Sequence, residues 1–283
     1  MAMQPITLTS GMRANLVSLQ NTNMLLENTQ KRLASGKKVN SALDDPVAYF
    51  TAVAHEQRAT DLAARKDEMS EAVQTVKAAD AGIQSINTLI AAAKSLASAA
   101  LSYEGTAATA TAAVNSLHDQ YTKVLDQISA MATDSGYKGV NLLSEDGKLT
   151  VKFNERGTAE SSLTMLGFDA SYDGEVLDLL DDVWVDAGVD ADAINDAITN
   201  LDLAKEELRT ESSKLSNNLS IITARQEFTQ GMINVLKDGA AGLTNADMNE
   251  EGANMLMLQT RQALGTTSLS LASQAAQSVL RLF

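Results

Sequence analysis

Apolar positions recur at helical spacing along most of the chain. Near the N-terminus Leu16, Leu19, Asn23, Leu26, Gln30 and Leu33 step by three and four, the interval of a coiled-coil seam with polar interruptions. Gly36 predicts the stop, because glycine enters the left-handed conformation that ends a helix at no steric cost. Near the C-terminus Leu258, Gln262, Gly265, Leu269, Ala272, Ala276, Val279 and Phe283 repeat the alternation. Thr244 followed three residues later by Asp247 gives that second arm a capping-box start.

Three further helices are expected between the arms. Asp45 before Pro46 reads as an N-cap and first helical position, where proline loses no needed hydrogen bond. From Pro46 to about Leu101, Met69, Val73, Val76, Asp80, Ile83, Ile86, Ile90, Ala93 and Ala97 mark one face. If continuous, that run makes a rod of roughly 80 Å at about 1.5 Å per residue. Val114, Leu117, Tyr121, Val124, Ile128 and Met131 mark the next helix, which stops at Gly136. A third runs from about Asp192 to Leu236 along Ile194, Ile198, Leu201, Leu208, Leu215, Leu219, Ile222, Ile233 and Leu236.

Residues 137–175 break the period. Asp146-Gly147 is a hairpin-type turn, and Leu149, Val151 and Phe153 then alternate with Thr150 and Lys152, as in a half-buried strand. Ser162–Phe168 offers a second strand. The acidic stretch from about 169 to 192 reads as a surface loop. The expected fold is mainly α: an elongated helical bundle with terminal coiled-coil arms and a small mid-chain β-hairpin element. Residues 1–41 with 244–283 form one predicted domain, and 42–243 the bundle domain that contains the β element and the acidic loop. A lone arm leaves apolar surface that asks for cover, so the pattern is one of assembly.

Composition sharpens this picture. The 283 residues include one Trp, five Tyr and five Phe, too few large rings for a thick core and suited to thin helices side by side. With no cysteine, disulfides, thiolate metal sites and cysteine nucleophiles are excluded. No run reaches the roughly 18 apolar residues of a membrane span. Met1–Met12 shows no basic region leading into an apolar one, so no cleaved secretory signal is expected. The net charge of −14 is unevenly spread. Residues 1–40 hold Arg13, Lys31, Arg32, Lys37 and Lys38 against Glu27 alone, whereas 143–202 hold fifteen acidic residues against Lys148, Lys152 and Arg156. A solvated, repulsive outer surface follows, and no basic patch interleaved with aromatics invites nucleic acid.

Candidate chemistry is sparse. His55-Glu56 begins like a zinc-protease helix, but Ala59 stands where the second histidine belongs. Serines lack a nucleophile elbow and glycines a phosphate-cradling loop. The Asp178–Asp196 run lacks the Gly and closing Glu of a calcium loop. Asn218-Leu219-Ser220 fits a glycosylation sequon on a predicted helix, and the Ser and Thr around 157–171 are better placed for O-glycans. No catalytic, cofactor or metal site is expected.

Longer motifs carry a resemblance. Leu33-Ala34-Ser35-Gly36-Lys37-Lys38-Val39-Asn40-Ser41-Ala42-Leu43-Asp44-Asp45, with Asn21-Thr22-Asn23 upstream, resembles the N-terminal signature of bacterial flagellins. Gly136–Leu143 looks like the segment entering the flagellin β-hairpin. Ala246–Glu251, with Asp247, and the closing Ser278-Val279-Leu280-Arg281-Leu282-Phe283 resemble the C-terminal signature. The resemblance implies a minimal, core-only filament subunit, extracellular and non-enzymatic, without cofactor. Its polymer-assembly arms would use Leu16, Leu19, Leu26, Leu33, Leu258, Leu269, Ala272, Ala276, Val279, Leu280, Leu282 and Phe283. Implied partners are further copies of the chain, with sister flagellins where present, and the flagellar export apparatus, a flagellin chaperone, the filament cap and hook–filament junction proteins. Neither nucleic acid nor membrane insertion is implied. Pro46-Val47-Ala48-Tyr49-Phe50 departs from the family's usual small residues and Gly. Ala92, Lys94 and Ser95 replace the Arg-rich pattern that an animal toll-like receptor reads, which implies weak sensing. The alternatives are a hook–filament junction protein and a flagellin-like surface-binding protein.

Overall fold

Gly36 ends one helix and Pro46 opens the next, and five long helices make up most of the described residues. The computed structural model describes residues 10–103, 107–155, 161–174, 176–179, 183–186 and 188–280. Helix α1 spans Ser10–Ser35, α2 Pro46–Leu101, α3 Ala108–Asp134, α4 Ala191–Thr244 and α5 Met248–Leu280. Strands β1 (Lys148–Lys152) and β2 (Ser162–Leu166) pair antiparallel.

The expected ends mostly hold, for local reasons. α1 closes on Gly36, whose φ of +70° lets its N–H return to the Arg32 carbonyl at 2.8 Å. α2 opens on Pro46, and the Asp45 carboxylate accepts the Ala48 N–H at 3.0 Å. Two expectations about the C-terminal side need correction. Thr244 does not start the last helix: it ends α4, which continues past Leu236, and its hydroxyl donates back to the Ala240 carbonyl at 2.9 Å. Asp247 alone caps α5, accepting the N–H groups of Asn249 at 2.8 Å and Glu250 at 3.3 Å. α4 passes through Gly239 and Gly242.

By Cα proximity the chain forms two compact units: residues 1–59 with 234–283, and residues 60–233. The divisions fall inside α2 and α4, not at their ends near 42 and 243, because both helices run unbroken through them.

The 60–233 unit has an ordinary apolar core. Met69, Val76, Ile83, Ile86 and Ile90 of α2 are buried with Tyr121, Leu125 and Ile128 of α3 and Ile194, Leu201 and Leu208 of α4. In the sheet, Val151 pairs with Leu163 and Leu149 with Met165 on the covered side, while Thr150 and Thr164 face outward with their hydroxyls 3.3 Å apart. The Asp146-Gly147 turn leads into β1 and does not join the two strands. Gly147 is obligatory there, since a Cβ would meet the backbone oxygens of Asn141 and Ser144. The turn between α3 and the sheet has Lys138 and Gly139 both at positive φ. It is pinned to α2 by Lys138 Nζ and the Tyr137 hydroxyl on Glu71, at 2.7 and 3.1 Å.

The stretch expected as an acidic surface loop is irregular, but it is not merely surface. Ala170, Leu177, Leu179 and Trp184 are buried in the same core. Trp184 packs against Tyr121 and His118, with ring centroids 4.7 and 5.0 Å apart. Acidic residues alternate with apolar ones in this segment, so Asp173, Asp178, Asp186 and Asp190 stay in water while the buried apolar side chains anchor the backbone.

Candidate assembly surface

The arms are built from α1 and α5, which lie antiparallel in the first unit. Asn15 donates to Ser268 at 3.2 Å, Gln262 to Asn23 at 2.8 Å, and Arg32 to Glu251 at 3.0 Å, so ascending numbers on one helix meet descending numbers on the other. Glu251 is buried and reaches the half-exposed Arg32, fixing the lower end of the pair. At mid-arm Gly265 leaves the room that Leu19 fills; a Cβ there would stand 3.1 Å from Leu19 Cγ.

On α5 the inward face is the expected one: Leu258 is buried, and Gln262, Gly265, Leu269, Ala272 and Ala276 are half-buried. Val279 and Leu280 are described as helix backbone alone, and Leu282 and Phe283 lie outside the described residues. On α1 the expected face is half right. Leu19, Leu26 and Leu33 turn inward and the exposed Asn23 bonds Gln262 at the edge of the seam, but the remaining companions are Met12, Asn15, Thr22 and Thr29, not Leu16 and Gln30. Met12, Thr22 and Thr29 are the buried positions of the helix. Leu16 stands outside the seam. A hydrophobic reading prefers Leu16 to Asn15 and discounts threonine, yet Thr22 satisfies its hydroxyl on the Ser18 carbonyl at 2.9 Å and is buried.

The signature residues between the arms and α2 are structural. The Asp44 carboxylate accepts the N–H groups of Asn40 and Ser41, each at 2.9 Å, and the Ser41 hydroxyl at 3.2 Å. Those backbone hydrogen bonds, helped by the charge of Lys31, hold its carboxyl below the usual aspartate range. Asn40 bonds the Lys37 carbonyl at 3.1 Å, and Ser35 accepts the Lys37 N–H at 3.2 Å. Lys38 and Val39 donate their N–H groups to the Thr244 carbonyl at 2.8 and 3.2 Å, and Ala246 donates to Gly36 at 2.9 Å. The loop after α1 is thereby stitched to the α4–α5 junction. Asn21 is exposed.

What sequence reasoning overlooked is on the outside of the arms. Met257, Leu264 and Leu271 recur every seven residues on α5 and are exposed, Leu264 by 66%. Leu256 adjoins them in sequence, and on α1 Leu16, Val17, Met24 and Leu25 are likewise exposed. The seven-residue interval was visible in the sequence, masked by the competing inward seam. His55 is half-buried on α2, and His118 sits beside Trp184. Among the described residues no group of three or more His, Cys, Asp or Glu is arranged to hold a metal, and no helix is long and apolar enough to cross a membrane.

Comparison with known proteins fits this geometry. Residues 8–148 match the family described as the bacterial flagellin N-terminal helical region, and residues 191–283 match the bacterial flagellin C-terminal helical region. Flagellin FljK of Caulobacter vibrioides is 28% identical over 292 aligned residues, covering all of both chains. Flagellin FljO of the same organism is 26% identical over the same span. A flagellin of Brucella melitensis is 26% identical over 273 residues, 95% of each chain. Among solved structures, Bacillus cereus flagellin aligns with a TM-score of 0.45 at 19% identity, covering 57% of this chain and 88% of that one. With both family regions matched in order and full-length relatives on either side, the chain belongs to the bacterial flagellin family, the structural proteins that self-polymerise into the extracellular flagellar filament.

Proposed function

We propose that this flagellin joins its filament through the outer faces of α1 and α5. The observation that carries this reading is the second apolar stripe, Met257, Leu264 and Leu271, on a helix whose opposite face already packs within the chain. A two-helix arm cannot bury both faces by itself, so another copy must supply the cover. Leu16 belongs to this outer set, while Leu19, Leu26, Leu33, Leu258, Leu269, Ala272 and Ala276 hold the two arms together. Val279, Leu280, Leu282 and Phe283 are assigned to polymer assembly on the family resemblance alone.

The division of labour follows. Residues 1–41 with 244–283 act as the polymerising domain and 42–243 as the bundle domain, whose acidic surface keeps subunits apart until the arms engage. Subunits leave the cell by the flagellar export apparatus, escorted by a chaperone, and are added beneath a cap on hook–filament junction proteins. Sister flagellins with similar arms can share the filament. The role is architectural, with no reaction catalysed.

The paired substitution Leu264→Ser and Leu271→Ser tests the stripe. Each removes a burial of about 1.5 kcal/mol or more from the polymer and none from the monomer. The critical concentration for seeded polymerisation should then rise roughly 100-fold, with monomer helicity unchanged. Filaments forming at the ordinary concentration would overturn the assignment.

A further inference from the structure

The first turns of α2 invert the usual layout of a surface helix. Its fully buried positions are small: Ala52 is 3% exposed and Ala59 1%, with Tyr49 and Val53 half-buried beside them. Its outward positions are large: Val47 is 76% exposed and Phe50 62%, and Leu43, in the turn just before, is 95% exposed. A helix that only served its own chain would bury the phenylalanine and show the alanines. The arrangement is also held in place. Asp45 caps the helix through the Ala48 N–H, the Asp44 carboxylate gathers the preceding turn, and Tyr49 meets Phe50 edge to face with centroids 5.5 Å apart. An aromatic side chain presented on a capped, preorganised helix start loses little entropy on being covered, which is the profile of an interface anchor.

We infer that Leu43, Val47 and Phe50 form an intersubunit contact, occupied by a second copy of this chain and distinct from the outer stripes of the arms. The inference rests on the filament reading above. The occupant is another copy because the patch lies in the same compact unit as the arms, and its turn is bonded through Lys38 and Val39 to the α4–α5 junction from which the C-terminal arm departs. A neighbour that docks on the arms is therefore carried to the patch by the same assembly step.

The test uses the full chain. Val47→Ala with Phe50→Ala should leave the monomer's melting curve unchanged, because both side chains are exposed before assembly. The critical concentration for seeded polymerisation should rise about tenfold or more. A photo-crosslinking phenylalanine analogue at position 50 should give chain-to-chain dimers in filaments and none in dilute monomer. Unchanged critical concentration, a lowered monomer melting point, or crosslinks in cells to a different protein in place of a second copy would each overturn the inference. Wild-type filaments beside an unaffected variant would sink this contact alone; wild-type protein that never polymerised would sink the filament reading and the contact with it.

Discussion

At the residue scale, the motif that identifies the chain works as a joint. Asn40, Ser41, Asp44 and Asp45 turn the backbone from α1 to α2, with one carboxylate gathering the turn and the next capping the helix. The ionised form of Asp44 accepts these bonds, so its folded pKa is depressed relative to the unfolded chain. The sign follows from linkage: the contribution is present above the ordinary aspartate pKa and is lost as pH falls through the lower folded value. An NMR titration should therefore find the Asp44 carboxyl titrating below the other exposed aspartates, with the Asn40 and Ser41 amide signals moving at the same midpoint. Asp44→Ala should abolish those coupled shifts and loosen the joint at neutral pH. If Asp44 titrated with the rest, the carboxylate would not be organising the turn. The sequence showed the Asp pair and the proline; it did not show which carboxylate served which neighbour, because that depends on backbone angles across Ser41–Asp45.

At the element scale, legibility followed how strongly one face outcompetes the other. The α2 face from Met69 to Ala97 was plain because its apolar positions sit above a polar remainder, and the structure buries most of them. The α5 seam was equally plain. α1 was ambiguous: Leu16, Val17, Met24 and Leu25 on its outside rival Leu19, Leu26 and Leu33 on its inside, and only packing against α5 decides between two interleaved heptads. The acidic segment misled for a related reason, since averaged charge hides an alternation in which Leu177, Leu179 and Trp184 turn inward. The two buried threonines of α1 define a prediction for the arm pair. Thr22→Val with Thr29→Val exchanges buried hydroxyls for methyls, and Thr22 bonds only its own helix, where back-bonding is weakly unfavourable. Pairing of the arms should strengthen by about 1 kcal/mol per site. Circular dichroism of the monomer should show the arm transition moved to higher temperature; a lower transition would mean those hydroxyls hold the seam.

For the whole molecule, the two units differ in how their stability is supplied. The 60–233 unit owns a continuous core that runs from Met69 to Ile222. The arm pair has Leu19, Leu26, Leu33, Leu258 and Leu269 interspersed with Asn15, Thr22, Thr29, Gln262 and Gly265, a thin seam for two long helices. Isolated helices need an apolar partner to persist in water, and in the filament contact proposed above most of that partner is another subunit. Opening of the arms in the free chain should therefore be frequent, and rare in the polymer. Trypsin reads the difference through cleavage sites the arms already carry. In dilute monomer, cuts after Arg13, Lys31, Arg32, Lys37, Lys38 and Arg261 should precede any cut between residues 60 and 233. In filaments the same arm sites should survive at least tenfold longer, because cleavage tracks the population of the open state. Mass spectrometry of timed digests would identify the order. Equal rates at arm and bundle sites in the monomer would show that the arms are already closed before assembly, and the binding energy that orders them would have to be sought in the bundle instead.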